Sequence, residues 1–334
     1  MWDWGSAMNE PNNWSRRLGL AAGRFYKPAF SVAAVAALIW ALQLIGWDKV
    51  GLAFASVGVG GAALLLLTGF LESLFDAAAL SVGLRARVSF LRVLAISCTG
   101  ALVNMLALSE MGEVTKGAML RKHTDTTDAV TATVVWNYAF KITRPGAALL
   151  AVALGFVLPT VIQRQELWLA LLACVLAFLP FVILWVLLRR GMMELGARFI
   201  KLIRLAGQSP EALLEKAKGM DHQIQVYWRE RPGAFAAVFG YQFLARLASW
   251  AGVWAACLLV GLPYSFATCA VVYGATSVAA IAVMIFPTRI GVTEGAGALV
   301  FSLLGLDGGM GLVVNILMRL KAVAGNALGL VFRP

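Results

Sequence analysis

Histidine is almost missing from this chain: its 334 residues include two, His123 and His222, both in polar connections. A histidine-based metal cage or a Ser-His-Asp centre therefore has almost no raw material, and no metal or cofactor is expected. Cysteine is nearly as scarce. Cys98, Cys174, Cys257 and Cys269 stand singly in apolar segments with no Cys-x-x-Cys pair, so buried structural thiols are expected rather than ligands or disulfides. No Walker motif is present, and ATP hydrolysis by this chain has no support. Charge itself is thin, at 13% of residues, where soluble domains carry about 25%.

Apolar residues take the place of what is missing. They make up 60% of the chain, with a mean hydropathy of +0.81. Runs long enough to cross about 30 Å of hydrocarbon recur at 28–45, 55–82, 91–108, 130–158 (interrupted), 168–188, 235–260, 265–286 and 311–331. The expected fold is all-α, a polytopic integral membrane bundle of about eight spanning helices. A cytoplasmic N-terminal segment at 1–27 precedes a first membrane half at 28–188. A cytoplasmic amphipathic elbow at 189–233 joins it to a second half at 234–334. The apolar run after Lys27 is read as a retained anchor, because 46–49 offers no small-residue cleavage site.

The net charge of +11 is unevenly placed. Cations gather at 16–27, 85–92, 121–123 and 189–231, while the connections near Asp48, Gln163, Gly261 and Asp307 carry little positive charge. That is the positive-inside pattern, with both termini cytoplasmic. No nucleic-acid motif accompanies the basic loops, so their expected partner is the bilayer and its anionic headgroups. In the elbow, Met192, Leu195, Phe199, Leu202 and Ile203 recur at helical spacing, and Ser209-Pro210 reads as the start of a further helix. Its functional reading is a membrane-surface helix; its plainer one is a joint between halves.

One offset recurs. Val114-Thr115-Lys116-Gly117-Ala118 returns as Val292-Thr293-Glu294-Gly295-Ala296, 178 residues later (292 less 114). Asn137-x-x-x-Lys141 returns as Asn315-x-x-x-Arg319 at the same offset. Two inverted repeats are expected, as in transporter folds with a site near the midplane. Each repeated element opens an apolar run too short to span, with Gly112, Gly117, Gly291 and Gly295 around it. Two re-entrant half-helices follow, their N-termini open to an anion; glycine turns at the interface are the alternative.

Ionisable residues inside spans usually face a polar interior. Glu72 and Asp76 share a face at i and i+4, as do Asn137, Lys141 and Arg144 at i, i+4 and i+7. Lys141, Arg144 and Arg319 are candidates for a substrate cavity, or for pairing with Glu113, Glu294 or Glu72. Arg246 and Lys321 are read as structural or snorkelling, and Arg289 as an interfacial cation that is also a candidate for the site.

Leu108-Ser109-Glu110-Met111-Gly112-Glu113-Val114-Thr115-Lys116-Gly117 resembles the Pro-Gly-x-x-Gly-Glu-x-x-Arg-Ala element of the lysylphosphatidylglycerol synthase membrane-region family, also called flippase-like. Pro287-Thr288-Arg289-Ile290-Gly291-Val292-Thr293-Glu294-Gly295 resembles that family's Pro-Gly-Gly-x-Gly-Val-x-Glu-Gly element. Leu108 replaces proline and Lys116 replaces arginine. The resemblance implies movement of a lipid between leaflets: aminoacylated phosphatidylglycerol, a lipid-linked sugar or, in a hopanoid-locus branch, a hopanoid. No stretch encodes the family's soluble aminoacyl-transferase domain, so transfer by this chain is not expected.

The combined reading is a non-enzymatic lipid translocase of a bacterial-type inner membrane. Its candidate substrate-binding residues are Gly112, Glu113, Lys116, Lys141, Arg144, Arg289, Gly291, Glu294 and Arg319. Glu72 and Asp76 form a proton relay in the rival reading of a small-solute transporter. Two more rivals are a lipid-headgroup-modifying enzyme and a scaffold for lipid-synthesis enzymes. The charge pattern makes one prediction: cysteines placed at Asp48, Gln163 or Asp307 label from outside intact cells, and one at Ala217 does not. The reverse pattern overturns the orientation and the inversion with it.

Overall fold

The computed structural model describes residues 47–106, 111–164, 210–262, 265–282 and 292–331. The runs at 28–45 and 168–188, and the amphipathic segment from Met192 to Ile203, lie outside them. The described residues form helices without strands: α1 Trp47–Gly83, α2 Phe90–Leu106, α3 Met111–Leu120, α4 Thr126–Arg164, α5 Pro210–Glu230, α6 Pro232–Leu259, α7 Phe266–Ala282, α8 Val292–Leu303 and α9 Gly308–Leu330. Among the described residues, three stretches are long and apolar enough to cross a membrane, namely Gly58–Gly83, Pro232–Leu259 and Gly308–Ala327. Leu67, Leu91, Trp254, Leu299 and Leu320 point outward from the bundle, an apolar exterior suited to acyl chains.

Local sequence accounts for the helix boundaries. Gly58 takes φ 57°, a left-handed conformation that glycine adopts without penalty, and there α1 breaks so that the apolar segment starts at the kink. Pro232 opens α6 in its first turn, where the missing N–H costs nothing. The run expected to be interrupted at 130–158 is instead one helix, α4. Pro145 removes one backbone donor, and packing of α4 on α6 and α7 carries the helix through it. At 39 residues, α4 is about 58 Å long and must project beyond the hydrocarbon core. By contrast α3 and α8, of 10 and 12 residues, reach only about half the core thickness.

Packing is organised around α1 and α6, which run antiparallel: Gly61 meets Leu259, Glu72 meets Arg246, and Asp76 meets Gln242. Helix α9 lies on α1 and α2, and α4 lies on α6 and α7. The short helices fold back within hairpins, α3 on α2 and α8 on α9. Two apolar clusters result. One gathers Leu65, Ala147, Ala151, Val253, Tyr273, Phe301 and Val313; the other gathers Leu80, Val93, Tyr138, Ile142, Phe235 and Val238. Cys98, Cys257 and Cys269 are free and buried, as expected of structural thiols; Cys174 lies outside the described residues.

Helix α5 closes one end. The Tyr227 hydroxyl donates to the carbonyls of Val82 (3.3 Å) and Gly83 (3.0 Å), and Arg231 donates to that of Leu84 (2.9 Å). Burial raises the Tyr227 hydroxyl above the usual tyrosine range, so it remains a neutral donor. Asp128 accepts from the backbone N–H groups of Arg85 and Ala86, closing the turn after α1.

Close backbone approach depends on glycine at the α1–α9 crossing. A Cβ on Gly325 would lie 2.6 Å from the Gly69 carbonyl carbon, and one on Gly69 would lie 2.6 Å from the Lys321 carbonyl oxygen. Backbone cannot yield as a side-chain tip can. Gly325→Leu is therefore expected to destabilise the bundle by about 1–3 kcal/mol or more, read as a lower thermal midpoint of the purified chain. Gly60→Ala, where nothing lies within 4 Å, leaves the midpoint unchanged.

Candidate functional site

Between the two apolar clusters lies a layer of charge. Along α1 it falls between Leu65 and Ala79, as Glu72 and Asp76. Along α6 it falls between Val238 and Val253, as Gln242 and Arg246; along α4 it falls between Ile142 and Ala147, as Arg144. Glu72 and Arg246 stand near the middles of the apolar stretches Gly58–Gly83 and Pro232–Leu259. Each ionised group at such a depth costs about 2.5–3.5 kcal/mol when it faces lipid. Helix association supplies the alternative, a set of mutual counter-ions.

Glu72 is gripped by the Lys321 Nζ of α9 at 2.8 Å, and the Arg246 guanidinium of α6 approaches its other oxygen at 3.6 Å. Asp76 receives Lys116 of α3 at 3.3 Å, the Gln242 amide at 2.9 Å and the Ser97 hydroxyl at 2.8 Å. Lys116 and Lys321 are only 1% and 3% exposed, and Arg246 is 8% exposed. Three cations thus serve two carboxylates. The space they need is made by small residues. A Cβ on Gly252 would stand 2.7 Å from Lys321 Nζ, and one on Gly100 would stand 2.8 Å from Lys116 Cε.

Helix α4 contributes an aromatic wall. Trp136 and Phe140 stack at 5.6 Å, one turn apart. Lys116 Nζ sits 3.4 Å from the centre of the Trp136 ring, and Arg246 and Arg144 lie 5.0 and 5.9 Å from the centre of Phe140. Such faces offset part of the lost hydration of a buried cation. The Trp136 indole N–H also donates to the Asp76 carbonyl at 3.2 Å.

The sequence candidates distribute unevenly over this layer. Lys116, expected at a substrate site, is occupied by Asp76 and Trp136. Arg246 and Lys321 are buried in the bundle interior, so neither snorkels toward an interface. Glu72 pairs with those two cations rather than with Lys141, Arg144 or Arg319. Those three are half-buried on α4 and α9 and engaged with neighbours. Gly112 and Glu113 belong to an Asn104 clasp: Asn104 Oδ1 accepts the Gly112 N–H at 2.7 Å, and its amide donates to Glu113 Oε1 at 3.0 Å. The α3 N-terminus is thereby capped from α2, while Glu113 Oε2 is buried without a partner. Glu294 falls in the first turn of α8; Arg289 and Gly291 lie outside the described residues. Sequence reasoning does not single out Gln242, Ser97 or Asn104. A signal for Gln242 exists: Gln242-x-x-x-Arg246 has the same i, i+4 spacing as Glu72-x-x-x-Asp76 and complements it. Among the described residues, no group of three or more His, Cys, Asp or Glu side chains could hold a metal ion.

A family model described as the lysylphosphatidylglycerol synthase TM region matches residues 25–329. A comparison with curated proteins finds no match.

The counter-ion layer makes a specific prediction. Asp76→Asn leaves Lys116 buried with no carboxylate, and should destabilise the chain by about 3–5 kcal/mol, seen as a loss of folded protein after extraction. The double variant Asp76→Asn, Lys116→Met removes both charges and should recover much of that loss. Equal stability of wild type and Asp76→Asn would show that the pair is not structural.

Proposed function

We propose that this chain, which belongs to the lysylphosphatidylglycerol synthase membrane-region family, is a lipid translocase that carries an anionic or modified headgroup through the polar layer while the acyl tails stay in the bilayer. The chain is a multi-pass helical membrane protein of a family associated with lipid handling. The observation that carries the narrower reading is the charged layer at the middle of the spans, built jointly by α1, α3, α4, α6 and α9. Ionisable residues at that depth mark substrate or ion paths, beside the register that their pairing gives the helices. A path for a charged headgroup requires them.

Two inverted repeats are part of the proposal, and helix packing supports them. Exchanging α1 with α6, α2 with α7, α3 with α8 and α4 with α9 leaves the set of neighbouring helices among these eight unchanged: α4 on α7 becomes α9 on α2, and α9 on α1 becomes α4 on α6. The proposed equivalents α1 and α6 run antiparallel, as a two-fold axis in the membrane plane demands. In this arrangement α3 and α8 are the re-entrant half-helices. The full chain would have about eight spans, divided at 28–188 and 234–334, with both termini in the cytoplasm of a bacterial-type inner membrane. Lys141, Arg144 and Arg319 then line the route. The chain works without catalysis, and the identity of the lipid follows from its headgroup charge rather than from a reaction.

Lys141→Ala and Arg319→Ala each remove one cation from equivalent positions of the two repeats. If each holds a headgroup phosphate, a charge-assisted contact worth about 1.5–3 kcal/mol is lost, and leaflet redistribution should fall roughly ten- to hundredfold with normal protein abundance. Lys141→Arg should restore part of it, because a planar fork meets phosphate differently from a point charge. Redistribution at the parent rate in well-folded single variants would remove both residues from the route. The assay is exchange of a short-chain fluorescent lipid between leaflets of proteoliposomes.

A further inference from the structure

Arg246 is the least satisfied of the buried cations. Lys116 and Lys321 each have a carboxylate at 3.3 Å or less, with Trp136 beneath Lys116. Arg246, although 8% exposed, meets Glu72 at 3.6 Å, beyond hydrogen-bond distance, and its Nε is buried without an acceptor. A guanidinium carries five donors in a rigid plane, and leaving them unmet in a low-dielectric interior is costly. Glu72 meets this deficit only in part, since its Oε1 stands 3.6 Å from the guanidinium while Lys321 holds Oε2 at 2.8 Å. Among the described residues of this layer, cations outnumber carboxylates: Lys116, Arg144, Arg246 and Lys321 stand against Glu72 and Asp76. Arg144, in the same layer, shares the Phe140 ring with Arg246.

We propose that Arg246 is the receptor for a ligand phosphate, with Glu72 as the counter-ion it gives up on binding and Arg144 as the second cation of the site. Phosphate fits this deficit better than a carboxylate does. It accepts a bidentate fork from guanidinium, offers oxygens to a second cation, and adds negative charge where the described cations outnumber the described carboxylates. The exchange is also local, because Lys321 keeps Glu72 neutralised while Arg246 changes partner. It loosens the ion pair between α1 and α6 and leaves the Asp76–Gln242 bond in place. Binding is thereby coupled to the contact between the two central helices. The inference rests on the translocase reading in one respect, that the phosphate belongs to a lipid headgroup; free phosphate shares the same chemistry.

The full chain, purified in phosphate-free maltoside micelles, is titrated calorimetrically with dihexanoyl-phosphatidylglycerol, with inorganic phosphate and with dihexanoylglycerol, which lacks the phosphate. The parent should bind the first and ignore the third. Arg246→Lys keeps the charge and loses the fork, and should weaken phosphatidylglycerol by about tenfold. Glu72→Gln, made together with Lys321→Met so that no buried lysine is stranded, removes the competitor, and should tighten binding by about threefold or more. Weakening in the first variant with tightening in the second supports the assignment. A lipid preference over inorganic phosphate identifies the headgroup as the source, and equal affinities identify the free anion, with Arg246 as receptor in both cases. Unchanged affinity in the two variants, absence of binding to the parent, or loss of folded protein in both variants, as a structural ion pair requires, overturns it. Binding without leaflet redistribution would instead sink the translocase reading and leave the phosphate site standing.

Discussion

Everything in the described bundle adjusts to two carboxylates one turn apart in the middle of α1. Glu72 and Asp76 cannot remain ionised in hydrocarbon, and they cannot neutralise each other. Their counter-ions come from three other helices: Lys116 from α3, Arg246 from α6 and Lys321 from α9. Each demand for a counter-ion is also a demand on packing. Lys321 must pass beside Gly252 and Gly69, and Lys116 must pass beside Gly100. Several glycines of the crossings thus have a cause in the electrostatics, since larger residues would fill the space that the cations use. Hydrophobic association alone provides little direction inside a bilayer, where lipid tails are as apolar as leucine. The ion pairs supply the register that burial cannot.

The layered arrangement explains how one bundle can be both rigid and permissive. Above and below the charges, apolar clusters hold α1, α4 and α6 together at both ends of the polar layer. Within it the interactions are uneven. Asp76 accepts three side-chain donors, whereas Arg246 has one long ion pair, the face of Phe140 and an unpartnered Nε. A fully satisfied network resists rearrangement; a partly satisfied one has a point at which it can change partners. The contrast between the two carboxylates therefore locates stability on the Asp76 side and adaptability on the Glu72 side. Both lie on the same helix, so a change at one is felt at the other through a single turn of backbone.

Much of this is legible in the sequence, for reasons that are physical. Long apolar runs state membrane helices directly, and 91–108, 235–260 and 311–331 correspond within a few residues to α2, α6 and α9. The buried thiols follow from isolated cysteines in such runs. The pairing of charges is not legible. Glu72 and Lys321 are 249 positions apart, and Asp76 and Gln242 are 166 apart. No periodicity within a helix encodes which face of a distant helix it will meet. Lys141 and Arg319 stand out because they recur at one offset, whereas Arg246 has no counterpart in that register and reads as structural. Gly112 similarly reads as part of an anion-binding turn. Its place against Gly100 and Asn104 gives it a packing role that depends on the α2–α3 hairpin. Pro145 misleads in the other direction, because proline signals interruption locally while neighbouring helices can hold its helix straight.

If α1 and α6 are the equivalent helices of two inverted halves, as proposed, their antiparallel contact has a consequence for charge placement. If α1 and α6 descend from one ancestral segment, a residue type suited to one should suit the other, yet one now carries two acids and the other an amide and a guanidinium. Identical charges on both would repel at the axis. Under the proposed duplication, the central pair stays together only by diverging to opposite sign, which would hide a common origin from sequence comparison. The Val-Thr-x-Gly-Ala element and the Asn-x-x-x-Lys/Arg pair lie on other helices, α3 and α8 and α4 and α9, and there the likeness survives except at x, where Lys116, which reaches Asp76, stands against Glu294. On that reading, the residues whose charge differs between α1 and α6 are the ones that hold the two helices together.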